Sequence, residues 1–127
     1  MLPVIQSELE PGRGNCMAAC VASILELPIT EVPNFRLATE PFQAMQEWLS
    51  LRGLCATRFP PDFDIVKSGE QIFCILTGKS PRRNVGHAVV GIAKENEFIM
   101  VHDPHPDGTG IDGDLQSVIF IKSLGQK

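Results

Sequence analysis

Gly86-His87-Ala88-Val89-Val90-Gly91-Ile92-Ala93, then Lys94-Glu95-Asn96, then Glu97-Phe98-Ile99-Met100-Val101-His102-Asp103, is the stretch on which the fold turns. Two runs of small, β-branched and aromatic residues flank a short polar break, which predicts strands over His87–Ala93 and Glu97–Asp103 joined by a tight turn. A turn centred on Glu95 pairs Ala93 with Glu97, Gly91 with Ile99, Val89 with Val101 and His87 with Asp103. Directly opposed residues share a face with Cβ atoms about 4.5–5.5 Å apart, so this register brings an imidazole within reach of a carboxylate. Val89 and Gly91 then share the face of His87, while Ala88, Val90 and Ile92 point into the core. A slip of one residue would exchange the faces.

Outward from this hairpin, Gln71–Thr77, Ser117–Lys122 and Leu54–Phe59 also read as strands. Pro60-Pro61-Asp62 and the glycine-rich stretch Asp107–Asp114 read as loops. The first half of the chain is helical in pattern. Asn15–Leu27 is predicted as a helix, with the Asn15 side chain capping a first-turn amide and Pro28 ending the run. Ala18, Ala19, Ala22, Leu25 and Leu27 make it apolar nearly all round, so it belongs in the centre of the molecule. Pro28–Phe35 is a turn-rich link. Pro41–Arg52 is a second helix, with Pro41 in its first turn and Gly53 as its left-handed stop. Phe42, Met45, Trp48 or Leu49, and Leu51 supply its apolar stripe. Helices followed by an antiparallel sheet indicate the α+β class.

The chain has 127 residues, read as a single domain over 1–127, large enough for one core without staples. Its 43% hydrophobic and 20% charged content is that of a folded globule. A net charge of −4 and a pI near 5.3 argue against a nucleic-acid partner. No apolar run approaches the roughly 18 residues of a membrane span. Met1–Gln6 shows no basic segment leading into an apolar one, so a cytoplasmic location and reduced cysteines are expected. Cys16, Cys20, Cys55 and Cys74 form no Cys-x-x-Cys pair, so neither a metal nor another cofactor is expected. Cys55 and Cys74 read as small buried apolar residues.

Cys16 differs because it follows the predicted cap. A helix N-terminus offers free amides and positive partial charge, which favour the nucleophilic thiolate, and a nearby imidazolium favours it further. Cys20, one turn deeper, lacks those amides. His87 is then the base and Asp103 the acid that orients it. Acyl transfer also needs donors for the oxyanion: the Cys16 amide is one, and Gln6, on the segment leading to the helix, is the candidate for the other.

With Asn15-Cys16, His87-Ala88-Val89-Val90 and Asp103-Pro104 in place, the chain resembles papain-like cysteine peptidases, in particular the peptidase domains of bacteriocin-exporting ABC transporters. It also looks like small uncharacterised bacterial and phage papain-like proteins carrying the Gly14-Asn15-Cys16 and His102-Asp103-Pro104-His105 texts. The resemblance implies a papain-like fold, with the nucleophile opening a buried central helix packed on a C-terminal antiparallel sheet. It implies hydrolysis of a peptide or other amide bond, in a peptide or protein substrate, by a Cys16–His87–Asp103 triad. The transporter domains usually carry their oxyanion glutamine about six residues before the cysteine, where this chain has Glu10, so either Gln6 serves through a longer loop or the oxyanion hole is weaker.

Other signals are weaker. His102 and Asp103 are neighbours on a strand and point to opposite faces, which disfavours a shared metal ion. Asp107, Asp112 and Asp114 lack calcium-loop spacing and read as a loop beside the site. Lys79-Ser80-Pro81-Arg82-Arg83-Asn84 is a solvated basic loop leading to His87, or else a contact for an acidic part of a substrate. Two alternatives stand beside hydrolysis: an acyltransferase or transglutaminase-like reaction on the same fold, and a non-catalytic papain-like binding module.

Overall fold

The computed structural model describes residues 1–10, 13–62, 72–82, 85–94 and 97–124. Glu95 and Asn96 of the expected turn, Gln71 at the expected start of a strand, and Arg83 and Asn84 of the basic stretch lie outside the described residues. The chain forms α1 (Cys16–Leu25), 3₁₀ turns at Ile29–Glu31 and Phe35–Leu37, and α2 (Pro41–Ser50). Five strands follow: β1 (Leu54–Phe59), β2 (Ile72–Lys79), β3 (Gly86–Lys94), β4 (Glu97–His102) and β5 (Asp112–Ser123). They make one antiparallel sheet in the order β1-β5-β2-β3-β4, so the class is α+β as expected. Among the described residues, no single helix is long and apolar enough to cross a membrane.

α1 is the central helix. Ala18 through Ser23 are all buried, and the helix lies against β3 and β2. It stops at Leu25, two residues early, because Glu26 takes a left-handed conformation (φ 60°) and the Leu27 amide turns back to the Ala22 carbonyl at 2.9 Å. That stop folds Leu27 onto the core. α2 packs on β1, and Gln46 bonds both the amide and the carbonyl of Ala56, tying the helix to an edge strand. Gly53 is left-handed as expected (φ 74°). Leu51 is a correction: α2 ends at Ser50, and Leu51 falls in the turn with 88% of its surface exposed.

The centre of the sheet is buried on both faces. On the helical face, Ala88, Val90, Ile75, Ile119 and Ala56 pack with α1 and α2. On the other, Cys74, Leu76, Val89, Ala93, Val118 and Phe120 form a second cluster with Phe59, Phe98, Ile111 and Leu115 against it. Ala88 and Val90 are therefore core as predicted, but Val89 is core too. Cys74 is buried as expected, whereas Cys55 on β1 is half-buried.

The hairpin register differs from the expected one. Lys94 pairs with Glu97, Ala93 with Phe98, Ile92 with Ile99 and Gly91 with Met100. A bulge between Val90 and Gly91 then sets Val90 opposite His102, where β4 ends. With two residues between Lys94 and Glu97, the pairing follows the commonest hairpin spacing rather than a turn centred on one residue. β5 is also longer than predicted, since it begins at Asp112 inside the glycine-rich stretch.

Gly91 is held by space rather than by its backbone angles. A Cβ there would lie 2.5 Å from Leu76 Cδ1, 2.8 Å from Leu76 Cγ and 3.0 Å from the Ile99 carbonyl oxygen. Leu76 is buried and the Ile99 backbone belongs to a paired strand, so neither can yield freely. Gly91→Ala is expected to cost about 2 kcal/mol of stability, seen as a lower urea midpoint at unchanged slope. A loss below about 0.5 kcal/mol would mean that Leu76 repacks without strain.

Candidate active site

Cys16 is the first residue of α1 and Asn15 its N-cap, but the Asn15 side chain makes no cap. This corrects the expected role. Asn15 is buried, and its Oδ1 accepts from the amides of Ser7 (3.0 Å) and Glu8 (2.9 Å), while Nδ2 donates to Ser7 Oγ (3.0 Å). It clamps the N-terminal segment, which is stitched down along its length. The Leu2 amide donates to the Ser23 carbonyl (3.0 Å), the Val4 amide to Ser23 Oγ (3.0 Å) and the Gln6 amide to the Pro104 carbonyl (2.9 Å). His102 Nε2 donates to the Val4 carbonyl at 2.7 Å, since a carbonyl only accepts.

These bonds deliver Gln6. Its side chain is buried, Nε2 donates to the Glu8 carbonyl at 2.8 Å, and Oε1 is buried with no hydrogen-bond partner among the described residues. It lines a small polar pocket of about 60 Å³ together with Cys16 and His87. Glu10 lines the same pocket but is exposed.

His87 is the second residue of β3, and its Nε2 meets Asp103 Oδ1 at 2.7 Å. The contact that the sequence anticipated is present, but not as a cross-strand pair: β4 has ended, and Asp103 enters from the loop that follows it. The loop fixes the carboxylate. Oδ1 also accepts from the His105 amide (2.9 Å), and Oδ2 accepts from the Gly110 amide (2.7 Å). Burial pushes the Asp103 carboxyl up, yet the His105 amide, the His87 ring and the Gly110 amide together hold it below its ordinary value. An ionised carboxylate only accepts, so His87 Nε2 donates to it, which makes Nδ1 the basic nitrogen of the neutral ring.

A side-chain clasp closes this loop. Arg82 Nη1 grips both Asp107 oxygens (2.8 and 3.1 Å) and Thr109 Oγ1 (2.8 Å). The Thr109 amide and hydroxyl each donate to Asp107 Oδ1 at 3.0 Å, and with Arg82 they hold that carboxyl down at about 2. The clasp joins the stretch before His87 to the loop after Asp103. Asp107-Gly108-Thr109 is a turn in which the carboxylate binds the backbone two residues on, a pattern that is legible in sequence. Its arginine partner is not.

Cys16 is half-buried and lines two pockets that share Gly14, Arg36, Gly86 and His87. One is the small polar pocket; the other is larger, about 230 Å³, with mostly apolar walls. Among the described residues no hydrogen bond joins the thiol to the imidazole. Burial pushes the Cys16 thiol up, and the Ala88 amide, the Arg36 charge and the Met17 and Cys16 amides recover only part of that rise. The helix-start amides therefore act in the expected direction, but desolvation outweighs them. Burial also lowers the imidazole of His87, and Asp103 opposes this only in part. At neutral pH both directions favour a neutral thiol and a neutral imidazole. Cys20 is fully buried and pushed up further, first by burial and then by Cys16 and Asp103, which leaves Cys16 as the accessible thiol of the two.

Among the described residues no group of three or more His, Cys, Asp or Glu side chains is placed to hold a metal ion. No family model, curated protein or solved structure matches the chain.

Proposed function

We propose that this chain is a thiol hydrolase of papain-like architecture that cleaves a peptide or other amide bond. The observation that carries the reading is the division of the His87 ring. Nε2 is committed to an anchored carboxylate at 2.7 Å, and Nδ1 is left as the base on a ring that lines the same pockets as Cys16. In the first step the Cys16 thiol gives its proton to His87 Nδ1 as Sγ bonds to the substrate carbonyl carbon. The oxyanion takes hydrogen bonds from the Cys16 amide and from the second hydrogen of Gln6 Nε2. His87 then returns the proton to the leaving nitrogen as the C–N bond breaks. Water, deprotonated by the same nitrogen, releases the acid and restores the thiol.

A p-nitrophenyl ester tests the reading as a minimal acyl donor. A burst of p-nitrophenol with an acyl adduct mapped to Cys16, both lost in His87→Ala, supports it. Acylation elsewhere, or at Cys16 independently of His87, removes the proposed base. An added amine that diverts the acyl group to an amide would point to the acyltransferase.

The binding-module reading draws on the raised thiol, since a protonated Cys16 is a poor nucleophile unless His87 acts on it. The pH profile decides. Activity needs neutral His87, which protonates below its ordinary 6.5, so the acid limb of kcat/KM is expected below pH 6.5. It also needs the proton that starts on Cys16, which is held above 9.0, so the alkaline limb is expected above pH 9. A Cys16 alkylation rate that has already reached its plateau at pH 6–7 would show a preformed thiolate instead.

A further inference from the structure

In the run His102-Asp103-Pro104-His105 the ring of His105 is left idle by the proposed mechanism. The His105 amide holds Asp103 Oδ1 at 2.9 Å, a bond that needs no imidazole. The ring itself stands edge-on to His87, with 6.4 Å between centroids and 76° between planes. Both rings line the small polar pocket of about 60 Å³ that Cys16 and Gln6 also line. A pocket of that size has room for a few waters or one small polar group, so a group that enters it comes within reach of both rings.

The loop also decides where the proton of this ring sits. The Asp107 amide donates to His105 Nδ1 at 3.1 Å. That hydrogen is fixed on the backbone, so Nδ1 presents a lone pair and the neutral ring carries its proton on Nε2. Asp107 Oδ1 lies 3.2 Å from the same nitrogen, but Arg82 Nη1 and the Thr109 amide and hydroxyl already donate to it. Nε2–H is therefore a donor with no hydrogen-bond partner among the described residues. The loop holds the ring by one nitrogen and leaves the other free, on a side chain that is 20% exposed.

We propose that His105 is a substrate-binding residue of the hydrolase, whose Nε2–H donates to a carbonyl oxygen in the leaving half of the substrate. His87 returns its proton to the leaving nitrogen, so that nitrogen lies at the His87 ring. The chain that continues from it meets the ring packed against His87, which is His105. The Cys16 amide and Gln6 serve the oxyanion, which leaves His105 for the next oxygen along. The substrate class is then an amide whose leaving amine is an amino-acid residue, with its own carbonyl one carbon away from the nitrogen, rather than one that releases ammonia or a plain alkylamine. The assignment rests on the hydrolase reading, and the experiment separates the failure of one from the failure of the other.

The test runs the site in reverse, because an amine that attacks the acyl-enzyme occupies the place of the leaving amine. Cys16 is acylated with p-nitrophenyl acetate in the presence of glycinamide and isobutylamine together, at equal concentrations of free base. The amine nitrogen bonds to the acyl carbon as the C–S bond breaks, and its proton passes by His87 Nδ1 to Sγ. The two amines share one branched skeleton, and only glycinamide carries the carbonyl. Amine at about 1 M intercepts any acyl-thioester, so partition here does not mark the acyltransferase, which diversion at millimolar amine would. The product ratio is divided by that from a free thioester in the same buffer, which removes the difference in basicity. Wild-type protein is expected to favour glycinamide about fivefold. His105→Asn keeps an acceptor for the Asp107 amide but lacks the donor at the Nε2 position, and should abolish the preference. His105→Gln carries an amide donor out to that position and should keep most of it. A ring that only supported the loop would be replaced better by asparagine, which keeps the Asp107 amide bonded. The ratio is read within each variant, so it does not depend on how fast each is acylated. No excess of the glycinamide product in wild type, or an equal excess in His105→Asn, overturns the proposal and leaves the hydrolase standing. A protein on which no acyl-Cys16 forms removes the hydrolase and this role of His105 with it.

Discussion

Cys16→Ala and His87→Ala are each expected to lower amide hydrolysis by about 10⁴-fold or more, and the double variant is expected to fall no further than the worse of the two. The non-additivity follows from the neutral resting pair. Burial raises the thiol and lowers the imidazole, so Cys16 holds its proton until His87 takes it, and His87 has no other proton to deliver. Without the ring the thiol is a weak nucleophile; without the thiol the ring activates nothing that bonds to the carbonyl. Cys16→Ala should cost little stability, and His87→Ala about 2 kcal/mol, because its ring is buried and the buried Asp103 carboxylate loses one of its bonds. His87 contributes one bond to Asp103, whose other partners, the His105 and Gly110 amides, remain. Turnover of a fluorogenic peptide beside urea midpoints separates chemistry from folding. Additive losses, or a His87→Ala variant within tenfold of wild type, would remove the base from the mechanism.

The elements that were legible in sequence are those whose pattern is local. β1 matches its predicted span, β2 and β3 lie within a residue or two of theirs, and the buried character of α1 follows from alanines placed all round it. What was not legible depends on long-range choices. The β3–β4 register turned on a connection of two residues and on a bulge at Val90/Gly91, and no propensity announces a bulge there. The His87–Asp103 contact was foreseen by a pairing that does not occur, and it forms because the Gly110 and His105 amides hold Asp103 in a loop. Desolvation is likewise invisible to spacing. The helix start does favour a thiolate, yet the packing over Cys16 reverses the balance.

Asn15 exposes the same limit and offers the second large effect. Asn and Ser are about equally good N-caps, so if Asn15 served α1 by capping, Asn15→Ser would be almost neutral. In the structure its amide reaches away from the helix to the Ser7 and Glu8 amides and the Ser7 hydroxyl, and a serine hydroxyl is too short and carries too few groups to replace three bonds. Asn15→Ser is therefore expected to cost about 3 kcal/mol, close to Asn15→Ala, because two partly buried amides lose their acceptor. The loss should reach the chemistry too. Gln6 bonds the Glu8 carbonyl, and the Asn15 amide itself donates to that carbonyl at 3.2 Å, so loosening residues 7 and 8 frees the side chain proposed as the oxyanion donor. A fall in kcat of about 10- to 100-fold with little change in KM is the expected signature, since an oxyanion donor acts mainly on the transition state. Asn15→Asp keeps the acceptor for both amides and should retain most of the stability. Its added charge beside Cys16 would raise the thiol further and move the alkaline limb of the pH profile upward. If Asn15→Ser folds and turns over like the wild type, Asn15 is a helix cap after all, and the N-terminal segment reaches the site by its other bonds alone.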